Sequence, residues 1–152
     1  MQCLAVGGVI QRSRAMVIGK IEKIDIKLKQ MNIEQLREEC LKIKGAEECF
    51  PFDEDTMVFK VMGKMFAFAG LNPKDGEFLV SMKCNPERSA ELRERYKGVT
   101  KGYYCGNTLK WNSVYLNRDV PDKIIKELIQ HSVDEVVSGL SKKLQKEYFT
   151  NV

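Results

Sequence analysis

The sequence predicts an α+β domain in which an antiparallel sheet of about five strands packs against N-terminal, middle and C-terminal helices. Three observations predict it. Short runs of alternating apolar residues, separated by glycine turns, fill the middle of the chain. Capped helical patterns precede, interrupt and follow those runs. The chain has 152 residues, 43% of them hydrophobic and 30% charged, which is enough for one buried core and not for two.

The first helix is predicted over Asn32 to Ile43. Asn32 is a good N-cap, Gln35 stands three residues later, and Ile33, Leu36, Cys40 and Ile43 form an apolar stripe that Gly45 ends. Phe50-Pro51-Phe52 and the acidic Asp53-Glu54-Asp55 then read as a connecting loop. Thr56 to Met62 and Lys64 to Gly70 are β-rich runs that meet in a tight hairpin at Gly63, with Met57, Phe59 and Val61 on one face and Val58, Lys60 and Met62 on the other. Asn72 to Gly76 turns the chain into a third strand, Glu77 to Cys84, whose Phe78, Val80 and Met82 share a face.

Asn85 followed by Pro86 signals a capped helix that starts with proline, predicted to run to Tyr96. Beyond it, Lys101 to Cys105 reads as a short strand and Lys110 to Leu116 as a clearer one, carrying the single Trp111. Pro121 opens a third helix to about Gln130. Ser132 and Glu135 form a capping-box pattern for a fourth, to about Lys146.

Residues 1–30 read as an extension outside the domain, which spans 31–152. The extension holds six basic and two acidic residues, so it accounts for the whole formal charge of +4 and leaves the domain neutral. Met1 to Ile10 lacks the basic flank and cleavage site of a signal peptide, and no stretch approaches the roughly 20 apolar residues of a membrane span. Within the neutral domain the charges are segregated. Glu34 to Asp55 carries eight acids against three bases, whereas Lys83 to Arg118 carries eight bases against three acids.

The candidate chemistry is sparse. Five scattered cysteines, Cys3, Cys40, Cys49, Cys84 and Cys105, form neither a disulfide framework nor a zinc clamp, and read as small hydrophobes or idle thiols in a reducing cytoplasmic compartment. One histidine, His131, lies in a helical pattern and reads as a helix-end polar residue or partial C-cap rather than part of a triad or metal site. No glycine-rich phosphate loop is present. No catalytic residue, metal ligand, cofactor or small-molecule substrate is expected, and the chain reads as a non-enzyme.

Phosphate neutralisation needs cations, and the strand and turn positions offer Lys60, Lys64, Lys83, Lys101 and Lys110, with Asn112 as a polar side chain beside them. Arg88, Arg93 and Arg95 on the middle helix add to the set. Alternation sends Lys110 and Asn112 to one face of their strand and Trp111 to the other, so Trp111 is expected to pack under the sheet in the core.

Several segments in the same order, Phe50-Pro51-Phe52, Val58-Phe59-Lys60-Val61, Gly63-Lys64-Met65-Phe66-Ala67, Lys83-Cys84-Asn85-Pro86-Glu87 and Trp111-Asn112-Ser113-Val114, resemble the MmcQ/YjbR family of small bacterial proteins. Val120-Pro121-Asp122 and Ser132 to Val137 resemble that family's C-terminal helices. The resemblance runs from about Met31 to Leu144. It implies a frataxin-like (CyaY-like) arrangement and a double wing of β-hairpins proposed, by fold similarity, to bind DNA. Tyr104 and Lys110 stand where the family often has histidines, and Val133 follows Ser132 where it often has tyrosine.

Two functional expectations follow. In the first, the double wing binds DNA through Lys60, Lys64, Lys83, Arg88, Lys101, Lys110 and Asn112. In the second, the acidic first helix and loop, with Glu34, Glu38, Glu39, Glu47, Glu48 and Asp53, engage a basic protein partner. No membrane partner is expected.

Overall fold

In a computed structural model the structure describes residues 31–102 and 108–150. The expected extension over 1–30 lies outside the described residues. The elements are α1 (Ile33–Leu41), β1 (Glu47–Cys49), β2 (Thr56–Val61), β3 (Lys64–Gly70), β4 (Leu79–Lys83), α2 (Pro86–Arg95), β5 (Val99–Lys101), β6 (Trp111–Tyr115), α3 (Asp122–Ser138) and α4 (Lys142–Thr150). The strands make one sheet in the order β1-β2-β3-β4-β6-β5, every neighbouring pair antiparallel.

Local chemistry accounts for most of these boundaries. Asn32 and Gln35 form a reciprocal capping box, with Asn32 Oδ1 accepting from Gln35 N–H at 2.8 Å and Gln35 Oε1 from Asn32 N–H at 3.0 Å. The chain leaves α1 through Gly45 at φ +74°. Met62 and Gly63 both lie at positive φ, 51° and 77°, as a two-residue hairpin turn matched to strand twist requires. Asn85 Oδ1 caps α2 by accepting from the N–H groups of Glu87 and Arg88.

Three elements differ from the sequence expectation. The sheet has six strands, because the unpatterned Glu47-Glu48-Cys49 is drawn into it by pairing with Lys60, Phe59 and Val58. The strand expected over Lys101 to Cys105 starts earlier, at Val99, and residues 103–107 lie outside the described residues. Two helices follow Pro121 as expected, but the break between them is displaced, the first running on through Ser138 and the second starting at Lys142. Ser132 does not cap a new one, since its hydroxyl lies 2.9 Å from the Leu128 carbonyl and 2.8 Å from that of Lys83.

The core lies between the sheet and the helices. Met57, Phe59 and Val61 of β2, Val80 and Met82 of β4, and Val114 of β6 meet Leu36 and Cys40 of α1, Leu92 of α2, and Ile125, Ile129 and Val133 of α3. Those three α3 residues recur every four positions and are 0–2% exposed, so one stripe of α3 seals the sheet. Burial pushes the Cys40 thiol up to about 12, aided by nearby Glu39, and burial also raises Cys84, so both behave as small hydrophobes.

Candidate nucleic-acid interface

Strand register decides which cations meet. The β2–β3 hairpin turns at Met62-Gly63 with Lys60 on one side and Lys64 on the other. Lys83 ends β4 opposite Trp111, the first residue of β6, and Cys84 N–H donates to the Lys110 carbonyl at 2.8 Å. Lys101 ends β5 opposite Asn112. All five lysines therefore stand at one end of the sheet, around the tips of the β2–β3 and β5–β6 hairpins. Arg88 joins them from the first turn of α2, which starts directly after β4. The ion pairs among the described residues are Arg37–Glu48, Lys42–Glu39 and Arg118–Glu77, and none involves these six cations. Glu47, opposite Lys60, is an acid at this end of the sheet.

Asn112 does not belong to that surface. It is 2% exposed, its Oδ1 accepts from Arg93 Nε at 2.8 Å, and its Nδ2 donates to Ser89 Oγ at 3.1 Å. Arg93 also donates to the carbonyls of Thr108 and Trp111, at 2.6 and 3.0 Å. Asn112 and Arg93 thus tie α2 to β6 and are spent on the fold. Arg95 remains exposed, 5.5 Å from the Tyr96 ring centroid.

Trp111 is also not where alternation alone suggested. It lies outside the core cluster, on the face of the sheet turned away from the helices, partly exposed and 5.7 Å from the Phe68 ring at 47°. The alternation was right that Asn112 and Trp111 face opposite ways. Which face meets the helices is the reverse of the expectation, because it depends on Arg93, 18 residues before Trp111, and Ser89, 23 residues before Asn112.

Two adjacent residues of α3 hold the β4–α2 junction. His131 Nε2 accepts the Asn85 N–H at 3.1 Å, which puts the ring proton on Nδ1, and Ser132 reaches the Lys83 carbonyl. Burial lowers the His131 pKa and the Arg88 guanidinium acts in the same direction, against Glu135 and Asp134. His131 is therefore a mid-helix staple rather than a helix-end cap. Its spacing in sequence gave no signal of this, because its partner is 46 residues away.

The other end of the sheet is acidic. The loops 50–55, 71–78 and 116–121 gather there, with Asp53, Glu54, Asp55, Asp75, Glu77 and Asp119. Arg118 grips Glu77 through two bonds of 2.8 and 2.6 Å and stacks 3.6 Å from the Tyr115 centroid, while Asp119 accepts the N–H groups of Lys97 and Gly98, both at 2.7 Å. Along α1, Glu39 is paired with Lys42 and Glu48 with Arg37, so part of the acidic set is already neutralised. Among the described residues there is no cluster of metal-ligating side chains, and no described helix is long and apolar enough to cross a membrane.

Comparison with known proteins bears on this geometry. The YjbR family model matches residues 41–134. The Escherichia coli O157:H7 protein YbdF is 30% identical over 118 residues, covering 78% of this chain and 94% of its own. YjbR of Escherichia coli K12 is 28% identical over 116 residues, covering 76% and 96%. The crystal structure of the Deinococcus radiodurans protein DR2400, of the DUF419 family, superposes with a TM-score of 0.70 at 33% identity, covering 78% of this chain and 88% of that one. A Pseudomonas syringae crystal structure gives 0.58 at 25% identity, covering 67% and 96%. With model, relatives and fold agreeing over the same segment, the chain belongs to the YjbR family.

Proposed function

We propose that this protein is a non-enzymatic, cytoplasmic nucleic-acid-binding protein that uses the cationic end of its sheet as a double wing. The observation that supports the reading is that Lys60, Lys64, Lys83, Lys101 and Lys110 all stand at one end of the sheet, at the β2–β3 and β5–β6 hairpins and the end of β4, with Arg88 nearby and no ion pair to any of the six among the described residues. The hairpins bind phosphates on either side of the α2 N-terminus, where the helix dipole adds to the attraction. The free thiols Cys40, Cys49 and Cys84 support a reducing compartment.

If about five phosphates are neutralised, affinity falls roughly 10²- to 10³-fold between about 50 and about 200 mM salt. Fluorescence anisotropy with labelled nucleic acid at several salt concentrations tests this. No binding at the lowest salt rejects the reading, and so does binding that the sextuple substitution of these cations to Gln leaves unchanged.

A second reading draws on the opposite end, where Phe50 and Phe52 are 45% and 68% exposed beside Asp53, Glu54 and Asp55. That pattern fits a basic, apolar-bearing protein segment. Arginine-leucine and arginine-glycine peptides of equal charge separate the contributions. Only the former should bind, and Phe52→Ser should abolish it.

A further inference from the structure

We infer that Trp111 is a stacking platform for an unpaired nucleobase, so that the cationic end takes single-stranded or locally opened nucleic acid in preference to intact duplex. The inference rests on the nucleic-acid reading above and deepens it. Four features of Trp111 carry it.

Trp111 opens β6 directly opposite Lys83. Residues paired in this way point to the same face with Cβ atoms about 5 Å apart, so an indole and an ammonium are presented side by side. Lys60 lies on that same face, since its neighbours Phe59 and Val61 are in the core on the other. Lys110 immediately precedes the tryptophan. A base laid on the ring would therefore have cations within reach of its own phosphate and the next.

The ring is also held without being consumed. Phe68 contacts it at a tilt, 5.7 Å between centroids, which fixes the side chain on one side. Trp111 belongs to neither the core cluster nor the residues packed against it, and it remains partly exposed. A purely structural tryptophan would be expected in the core, to which Trp111 does not belong. This one lies on the outer face of the sheet, partly open to solvent.

Inside a duplex the faces of each base are covered by the pairs stacked above and below it, whereas a single strand can turn a bare face onto an indole. That distinction makes the inference testable, and the chain helps because Trp111 is its only tryptophan. Emission from the wild-type protein is followed during titration with a labelled oligothymidylate, an oligouridylate of equal length, and a mixed-sequence duplex, with anisotropy of the label recorded in parallel.

The expected result is quenching of Trp111 by one or both single strands and little by the duplex, with the two single strands distinguishing a DNA from an RNA preference. Trp111→Phe, which keeps an aromatic ring on Phe68, should weaken single-strand binding about tenfold while leaving duplex binding and the salt slope unchanged. Lys83→Gln should weaken both. Equal affinity for single strand and duplex, or single-strand binding with unaltered Trp111 emission, overturns the stacking role and leaves the phosphate-binding reading standing. Absence of any anisotropy change at low salt with all three probes overturns both. Circular dichroism of each variant confirms the fold, and the wild-type quenching requires no variant.

Discussion

His131 of α3 accepts the backbone N–H of Asn85, the residue that caps α2, across 46 residues of sequence. A single imidazole nitrogen therefore connects the helix that seals the core to the turn that presents Arg88. The bond exists only with the ring neutral, because a protonated Nε2 would set one donor against another.

Acid should loosen this connection. The folded pKa of His131 lies below its ordinary value of 6.5, held down by burial and then Arg88, so between the two values the unfolded chain binds more protons than the fold. The contribution is complete above about pH 6.5 and is lost as pH falls from there through the lowered folded value. Thermal melts across this window should show a falling midpoint that His131→Gln does not share. At neutral pH, His131→Ala should cost about 1 kcal/mol by leaving the Asn85 N–H without its partner.

The Asn112–Arg93–Ser89 cluster should behave as structure rather than as interface. Asn112→Ala removes the acceptor of Arg93 Nε and the donor to Ser89 in a buried place, at a cost of about 2 kcal/mol in urea unfolding. Lys83→Gln, at a partly exposed position, should change stability by no more than about 0.5 kcal/mol. The opposite order would mean that the cluster does not tie α2 to β6.

Asp119 should contribute stability that acid removes. Burial opposes its ionisation, but hydrogen bonds from the Lys97 and Gly98 N–H groups outweigh that and leave its pKa below the ordinary 3.8. The contribution is therefore present above that value and disappears as pH falls through the lower folded one. Asp119→Asn should be less stable than the parent at neutral pH, with the difference shrinking below about pH 4. Denaturant titrations at pH 7 and pH 3 read this directly.

Gly102 should be sensitive because of Trp111. A Cβ there would lie 2.8 Å from the Trp111 Cβ and 3.1 Å from its carbonyl oxygen, so alanine forces β5 and β6 apart at the tip of the second hairpin. Gly102→Ala should shift the tryptophan emission and lower the melting midpoint. Gly63→Ala meets no atom within 4 Å and is strained only by its φ of +77°, at about 1 kcal/mol, with the emission unchanged.

Local signals in the sequence were reliable where the structure is local. The Asn32–Gln35 box, the Asn85-Pro86 helix start, the Gly63 turn and the Met57/Phe59/Val61 face all follow from neighbours within a few residues. Glu47-Glu48-Cys49 has no strand pattern of its own and becomes β1 only by pairing with β2. Ser132 and Glu135 do spell a capping box, yet the Ser132 hydroxyl serves the Leu128 and Lys83 carbonyls, and nothing nearby in the chain announces the latter. For the candidate interface, the identities of the lysines were legible. Their convergence was not, because it depends on four strand registers at once, and the burial of Asn112 depends on α2.

The placement of positive hairpin tips at one end of the sheet and acidic loops at the other has a kinetic consequence. Residues 31–152 carry equal numbers of basic and acidic side chains, so at long range a polyanion feels only the +4 that residues 1–30 contribute. Closer in, within about 10 Å at moderate ionic strength, it meets a dipole that turns the molecule before contact. Under the proposed nucleic-acid reading, collisions led by Asp53, Glu54 and Asp55 are repelled and those led by Lys60 and Lys64 are drawn in, so encounters are sorted by orientation.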